Sequence, residues 1–167
     1  MLEAHHKMKL FFAVRPWEDE PDHAEWIDGE NEHPTTNATG FKCRIVRNKH
    51  TGTLCGYVGV PKENKFWGIE YNGNTDMDLR AISRDVHGGF TYSAEGDDGW
   101  WYFGFDTAHH GDFAPTTIEL AIARHVSNSR FYDCMNYRTW EFVENEVHWL
   151  AWRLAKYDQY EKEGDDA

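Results

Sequence analysis

The sequence predicts an α+β domain: an antiparallel sheet built from hairpins, with a C-terminal amphipathic helix packed on one face. Three observations lead there. Residues 41–60 alternate in polarity about a turn at Asn48 to Gly52. Residues 87–106 place two aromatic-rich segments around Glu95-Gly96-Asp97-Asp98-Gly99. Val143, Val147, Leu150, Ala151 and Leu154 form a stripe at helical spacing.

In chain order, the apolar run 8–14 reads as a first strand ended by Pro16. Residues 18–32 carry eight carboxylates and no Lys or Arg. They read as a solvated loop or short acidic helix on the surface, with a nucleic-acid mimic or a docking surface for a basic partner as the alternative. In the hairpin, Phe41, Cys43 and Ile45 alternate with Lys42 and Arg44, and the return strand is Leu54 to Val60, closed by Pro61. Gly56 and Gly59 leave gaps where a ligand or another backbone could approach. Asn72-Gly73-Asn74 reads as a turn, and Leu79 to Val86 as a short strand. Ile118 to Val126 is helix or loop. Thr139 is a suitable N-cap for a helix to Tyr160, with Glu141 and Glu144 near the positive end of its dipole.

The 167 residues support one domain, 1–167, with its hairpin core over 41–112. A hydrophobic share of 40%, with eight Trp, is enough to build a core and excludes global disorder. No apolar run approaches a membrane span. Net charge −12 disfavours duplex nucleic acid, whose binding needs phosphate-neutralising cations. Three cysteines, without framework spacing and without a secretory signal, read as reduced thiols in a cytoplasmic setting. Cys43 pairs beyond Cys55 on its hairpin, so the two cannot meet. No Walker loop, dinucleotide fingerprint, nucleophile elbow or Cys-x-x-Cys is present.

The second hairpin carries the candidate chemistry. A four-residue loop, Gly96 to Gly99, would oppose Phe90 to Phe105, Tyr92 to Phe103 and Ala94 to Trp101 on one apolar face. The other face would then hold His87, Gly89, Thr91, Ser93, Tyr102, Gly104 and Asp106. His87 and Asp106 would be diagonal neighbours, with His109, His110 and Asp112 at the same end. Imidazole and carboxylate groups together suit a divalent cation, zinc or manganese, with His87, Asp106 and His109 as ligands. They equally suit an acid–base pair. The expected catalytic set is His87, Asp106, His109 and Asp112. Gly88, Gly89, Thr91, Tyr102 and His110 are the expected ligand contacts, the glycines offering backbone N–H groups to an anion. A loop held together by hydrogen bonds, with no chemistry, uses the same residues. Trp100 and Trp101 point to opposite faces, one core and one open to stack on a nucleobase. Arg80, Arg84, Arg124, Arg130 and Arg138 are candidate phosphate contacts with nothing in the sequence to gather them.

Several stretches resemble a family of uncharacterised small proteins of bacteriophages and prophages. They are Cys-Gly-Tyr-Val-Gly-Val-Pro at 55–61, Val-His-Gly-Gly-Phe-Thr-Tyr at 86–92, Trp-Trp-Tyr-Phe-Gly-Phe-Asp-Thr-Ala-His-His-Gly-Asp at 100–112 and Tyr-Arg-Thr-Trp-Glu-Phe-Val-Glu-Asn-Glu at 137–146. The resemblance spans about residues 54–155. Its pattern has Cys where this chain has Thr107, which argues against a catalytic thiol there, and a single His where this chain has His109-His110. It implies an accessory role in an infected bacterial cell, by analogy countering host defence through a nucleotide signal. Three functions stay open: hydrolysis of a small phosphorylated or nucleotide-like substrate, sequestration of such a ligand, and inhibition of a host protein through the acidic surface. A homodimer that completes a pocket is compatible with all three.

Overall fold

The computed structural model describes residues 15–30, 37–73, 75–124 and 135–165. The strand expected at 8–14, together with Cys134 and Arg130, lies outside them. Among the described residues, five strands form one antiparallel sheet in the order β1-β2-β3-β5-β4. They are β1 (His23–Ile27), β2 (Lys42–Arg47), β3 (Leu54–Val60), β4 (Tyr92–Glu95) and β5 (Trp101–Asp106). The helices are α1 (Pro16–Asp19), α2 (Met77–Asp85), α3 (Pro115–Ala123) and α4 (Trp140–Asp165). Among the described residues no helix is long and apolar enough to cross a membrane.

One face of the sheet is covered by α4. Val143, Val147, Leu150, Ala151 and Leu154 are fully buried against Ile45, Val58, Val60, Phe103 and Phe105. The gaps at Gly56 and Gly59 are filled from inside the protein. A Cβ on Gly56 would lie 2.6 Å from the Phe105 ring and 2.7 Å from Val147, and one on Gly59 would lie 2.8 Å from the Tyr102 ring. Cys43 and Cys55 are free thiols on different cross-strand rows.

Three expectations are corrected. Residues 79–86 are not a strand: α2 occupies Met77–Asp85, and the Asp76 carboxylate caps it by accepting from Leu79 N–H at 2.8 Å. Leu79, Ile82 and Val86 then share one buried face at helical spacing. The acidic segment is not wholly a solvated loop, because its middle forms edge strand β1 and Asp28 is buried. The β4–β5 register is shifted by one residue, Tyr92 opposing Gly104 and Ala94 opposing Tyr102. The cause is the turn. Gly96 N–H bonds the Trp100 carbonyl, and Asp97-Asp98-Gly99 closes as a three-residue loop with Gly99 at φ +77°. Tyr92 therefore lies on the open face, while Ser93 turns the other way and accepts from Tyr71 N–H. Trp101 is buried as expected, and Trp100 is half-buried with the Lys42 ammonium 4.9 Å from its ring centroid.

Candidate functional site: two imidazoles on one buried carboxylate

The site is built from three separate segments. The first is the exit of α2. There His87 N–H donates to the Glu146 carboxylate of α4 at 3.0 Å, and Gly88 and Gly89, at φ +68° and +81°, turn the chain back toward the sheet. The second is the loop after β5. Asp106 accepts from Ala108 N–H, Asp112 N–H donates to the His109 carbonyl, and the loop closes tightly. The third is the run into α4, where Asn136 bridges Asp112 and brings Arg138 alongside. A small satellite core of Phe113, Ile118 and Tyr137 packs beneath this junction.

Asp112 is the centre. Its side chain is 1% exposed. Oδ2 accepts from His87 Nε2 at 2.7 Å and from His109 N–H at 3.1 Å, and Oδ1 accepts from Arg138 Nε at 2.8 Å. Burial pushes its pKa up, but the bonds from His87, Arg138 and His109 outweigh burial and hold it below the usual carboxylate value. The His87 ring meets Phe142 and His109 edge-on, at centroid separations of 5.4 and 5.5 Å. The Arg138 guanidinium lies 4.9 Å from the Phe142 centroid.

His109 is held from below. A Cβ on Gly88 would fall 2.1 Å from the His109 ring, so only glycine leaves room for it. Its Nδ1 is buried and makes no hydrogen bond, 3.6 Å from Asp112 Oδ2 and 3.7 Å from Asp106 Oδ1. His87, His109 and Asp112 each offer one ligand atom, all within 4.8 Å of one another. Two imidazoles and one carboxylate are the donor set of a catalytic zinc centre with open coordination positions.

The structure therefore gathers His87, Asp106, His109 and Asp112, with a changed division of labour. His87 lies outside β4 and bonds Asp112, so the shared carboxylate is Asp112 rather than Asp106. Asp106 stands beside His109 alone. The expected anion cradle is partly consumed, since His87 N–H is taken by Glu146 and Gly89 N–H by the Val86 carbonyl. Thr91 N–H is spent on the Gly104 carbonyl, and His110 is exposed beside the cluster. Tyr102 lies at the far end of β5, donating to Asp98 at 2.9 Å. Of the candidate arginines among the described residues, Arg138 is the one bonded into the cluster. Thr107 is structural, its buried hydroxyl donating to the Leu54 carbonyl. Sequence reasoning missed Glu146 and Phe142, which anchor His87 from α4. Their place facing α2 is set by helix packing that no local motif announces. No protein-family model matches the chain, and neither do curated proteins or solved structures.

Proposed function

We propose that the protein hydrolyses a small phosphorylated substrate at the His87–His109–Asp112 cluster, with a divalent cation, zinc or manganese, held by those three side chains. The observation that carries this reading is the buried, unbonded Nδ1 of His109, set between two carboxylates and next to a second imidazole. A cation bound there would lower the pKa of a coordinated water and polarise the phosphoryl oxygens. Asp112 holds the His87 imidazole through Nε2 and the His109 backbone through its N–H. Arg138, 29% exposed and anchored through Nε, offers its remaining N–H groups to the charge that develops on the transferring phosphoryl. Asp106, 30% exposed and 3.7 Å from His109, accepts the proton of the attacking water. The water oxygen bonds to phosphorus, the ester P–O bond breaks, and the leaving alkoxide takes its proton from solvent.

The likeness to phage and prophage proteins supports a counter-defence setting in the bacterial cytoplasm, in which the substrate is an immune signal. Sequestration without hydrolysis is the second reading. The Arg138–Asp112 ion pair favours it, because it weakens Asp112 as a cation ligand while keeping a positive group ready for an anion.

The test incubates the protein with phosphorylated metabolites and cyclic and linear nucleotides, with Zn2+ or Mn2+, then denatures it and analyses the small molecules. New products, lost in His87→Gln and on chelation, are expected. Intact ligand released by heat supports sequestration, and full activity in His87→Gln overturns the proposed site.

A further inference from the structure

We infer that the sheet face opposite α4 carries a nucleobase subsite built on Tyr57, Tyr92 and Arg44, which makes the phosphorylated substrate a nucleotide. The inference rests on reading the His/Asp cluster as a phosphoryl site. It adds where the rest of the molecule goes.

Strand pairing places Arg44, Tyr57, Gly104 and Tyr92 side by side in one row across four strands. Alternation points that row away from the helix-covered core. Gly104 is the floor: a Cβ there would lie 2.4 Å from the Tyr57 ring. The Tyr57 and Tyr92 rings meet edge-to-face with centroids 5.4 Å apart. Tyr102 is buried at the back of the hollow, 5.2 Å from the Arg44 guanidinium. The hollow holds about 470 Å³, the volume of a small-ligand site. Tyr92 is 43% exposed, a large ring left in solvent on an open face. Tyr57 is held neutral, its pKa pushed up to about 12 by burial and by Cys55.

The hollow has a polarity. At the β4–β5 turn its rim carries Glu95 and Asp97, acceptors suited to ring N–H and amino groups and repulsive to phosphate, beside Asp98, whose oxygens already accept from Lys42, Trp100 N–H and Tyr102. In the opposite direction, the next row on the same face is Val46, Cys55 and Asp106. It lies about 7 Å along the strands, two residues on. Burial, and after it the negative charge on Asp106, raise the Cys55 thiol pKa, in keeping with the shared face of Cys55 and Asp106. Beyond Asp106 stands His109 at 3.7 Å. A planar base against the tyrosines would direct its phosphate along the strands toward Asp106 and, through it, the cluster. Arg44, already in the hollow and ion-paired with Glu25 at 2.6 Å, offers a flat partner for a base.

The experiment titrates the four 5′-ribonucleoside monophosphates and ribose 5-phosphate, with Mn2+ present, into wild type, Tyr92→Ala, Tyr92→Phe and His87→Gln. At least one nucleotide should bind about tenfold or more tighter than ribose 5-phosphate, the contribution of one stacked base. Tyr92→Ala should remove that difference without changing ribose 5-phosphate affinity, and Tyr92→Phe should restore it. Equal binding of nucleotides and ribose 5-phosphate overturns the base subsite and leaves the phosphoryl site standing. Tyr92-dependent nucleotide binding that is indifferent to His87→Gln supports the subsite and overturns the phosphoryl reading. Absence of nucleotide binding overturns the subsite.

Discussion

Replacing Asp112 with Asn tests the centre of the site. The carboxylate accepts three bonds, two at Oδ2 and one at Oδ1, from His87, His109 N–H and Arg138. An amide keeps one acceptor and turns an NH2 group toward a donor. With its oxygen on Arg138, Asn turns its NH2 group to the His109 N–H, which loses its acceptor, and to His87, which can accept only through an unprotonated Nε2. Losing a bond to a charged group costs about 1.5–3 kcal/mol, and a donor facing a donor adds to it. His87 and Arg138 are 18% and 29% exposed, so water recovers part of the loss. The expected cost is about 3 kcal/mol at neutral pH. Urea unfolding in the presence of chelator measures it, as a lower midpoint with an unchanged slope. The pH dependence has a definite sign. The folded-state pKa of Asp112 is depressed, so its contribution is complete above the ordinary carboxylate value of about 3.9 and is lost as pH falls through the folded value. The gap between wild type and Asp112→Asn should therefore close in acid. A cost below about 1 kcal/mol, or one as large in acid as at pH 7, refutes the reasoning.

Gly88→Ala should cost about 2 kcal/mol and weaken cation binding, because it strains a left-handed backbone and displaces the His109 ring; thermal melts and zinc titration check both. Zinc affinity should fall sharply in His87→Gln and His109→Gln and far less in Asp106→Asn, and an equal loss in Asp106→Asn would return Asp106 to the ligand set. Leu150→Ala, at a fully buried position of α4, should destabilise by about 3 kcal/mol in urea unfolding without changing which ligands bind. Asp98 is pushed up by burial, but bonds from Lys42, Trp100 N–H and the Tyr102 hydroxyl outweigh this and hold its pKa at about 2; Lys42→Met should raise it toward the ordinary value, read from carboxyl NMR shifts against pH.

The parts of the fold legible in the sequence are those fixed by periodicity. The 41–60 hairpin and the α4 stripe repeat their polarity several times over, so neighbouring residues reinforce one register. The β4–β5 register rests instead on one glycine. Gly99 at φ +77° converts a four-residue loop into three residues, and that single torsion exchanges Tyr92 with Ser93 between faces. Helix α2 was hidden because Leu79, Ile82 and Val86 also suit a short strand, whereas the cap at Asp76 is the signal that separates the two. His87, Asp106, His109 and Asp112 were legible as a group, since both hairpin arms end near them. Which carboxylate the imidazoles share was not, because it depends on how the loop after β5 closes and on Asn136 and Arg138 arriving from a distant segment.

That convergence has a consequence for how the centre comes into being. His87 and Asp112 are 25 residues apart, and Arg138 lies another 26 beyond. A peptide spanning 100–112 would own two of the groups and lack the other two, so no fragment of that length carries the chemistry. The centre arises only once all three stretches have been stitched together, and an ion captured there would act as a clasp on the finished fold, raising the melting temperature in step with its concentration.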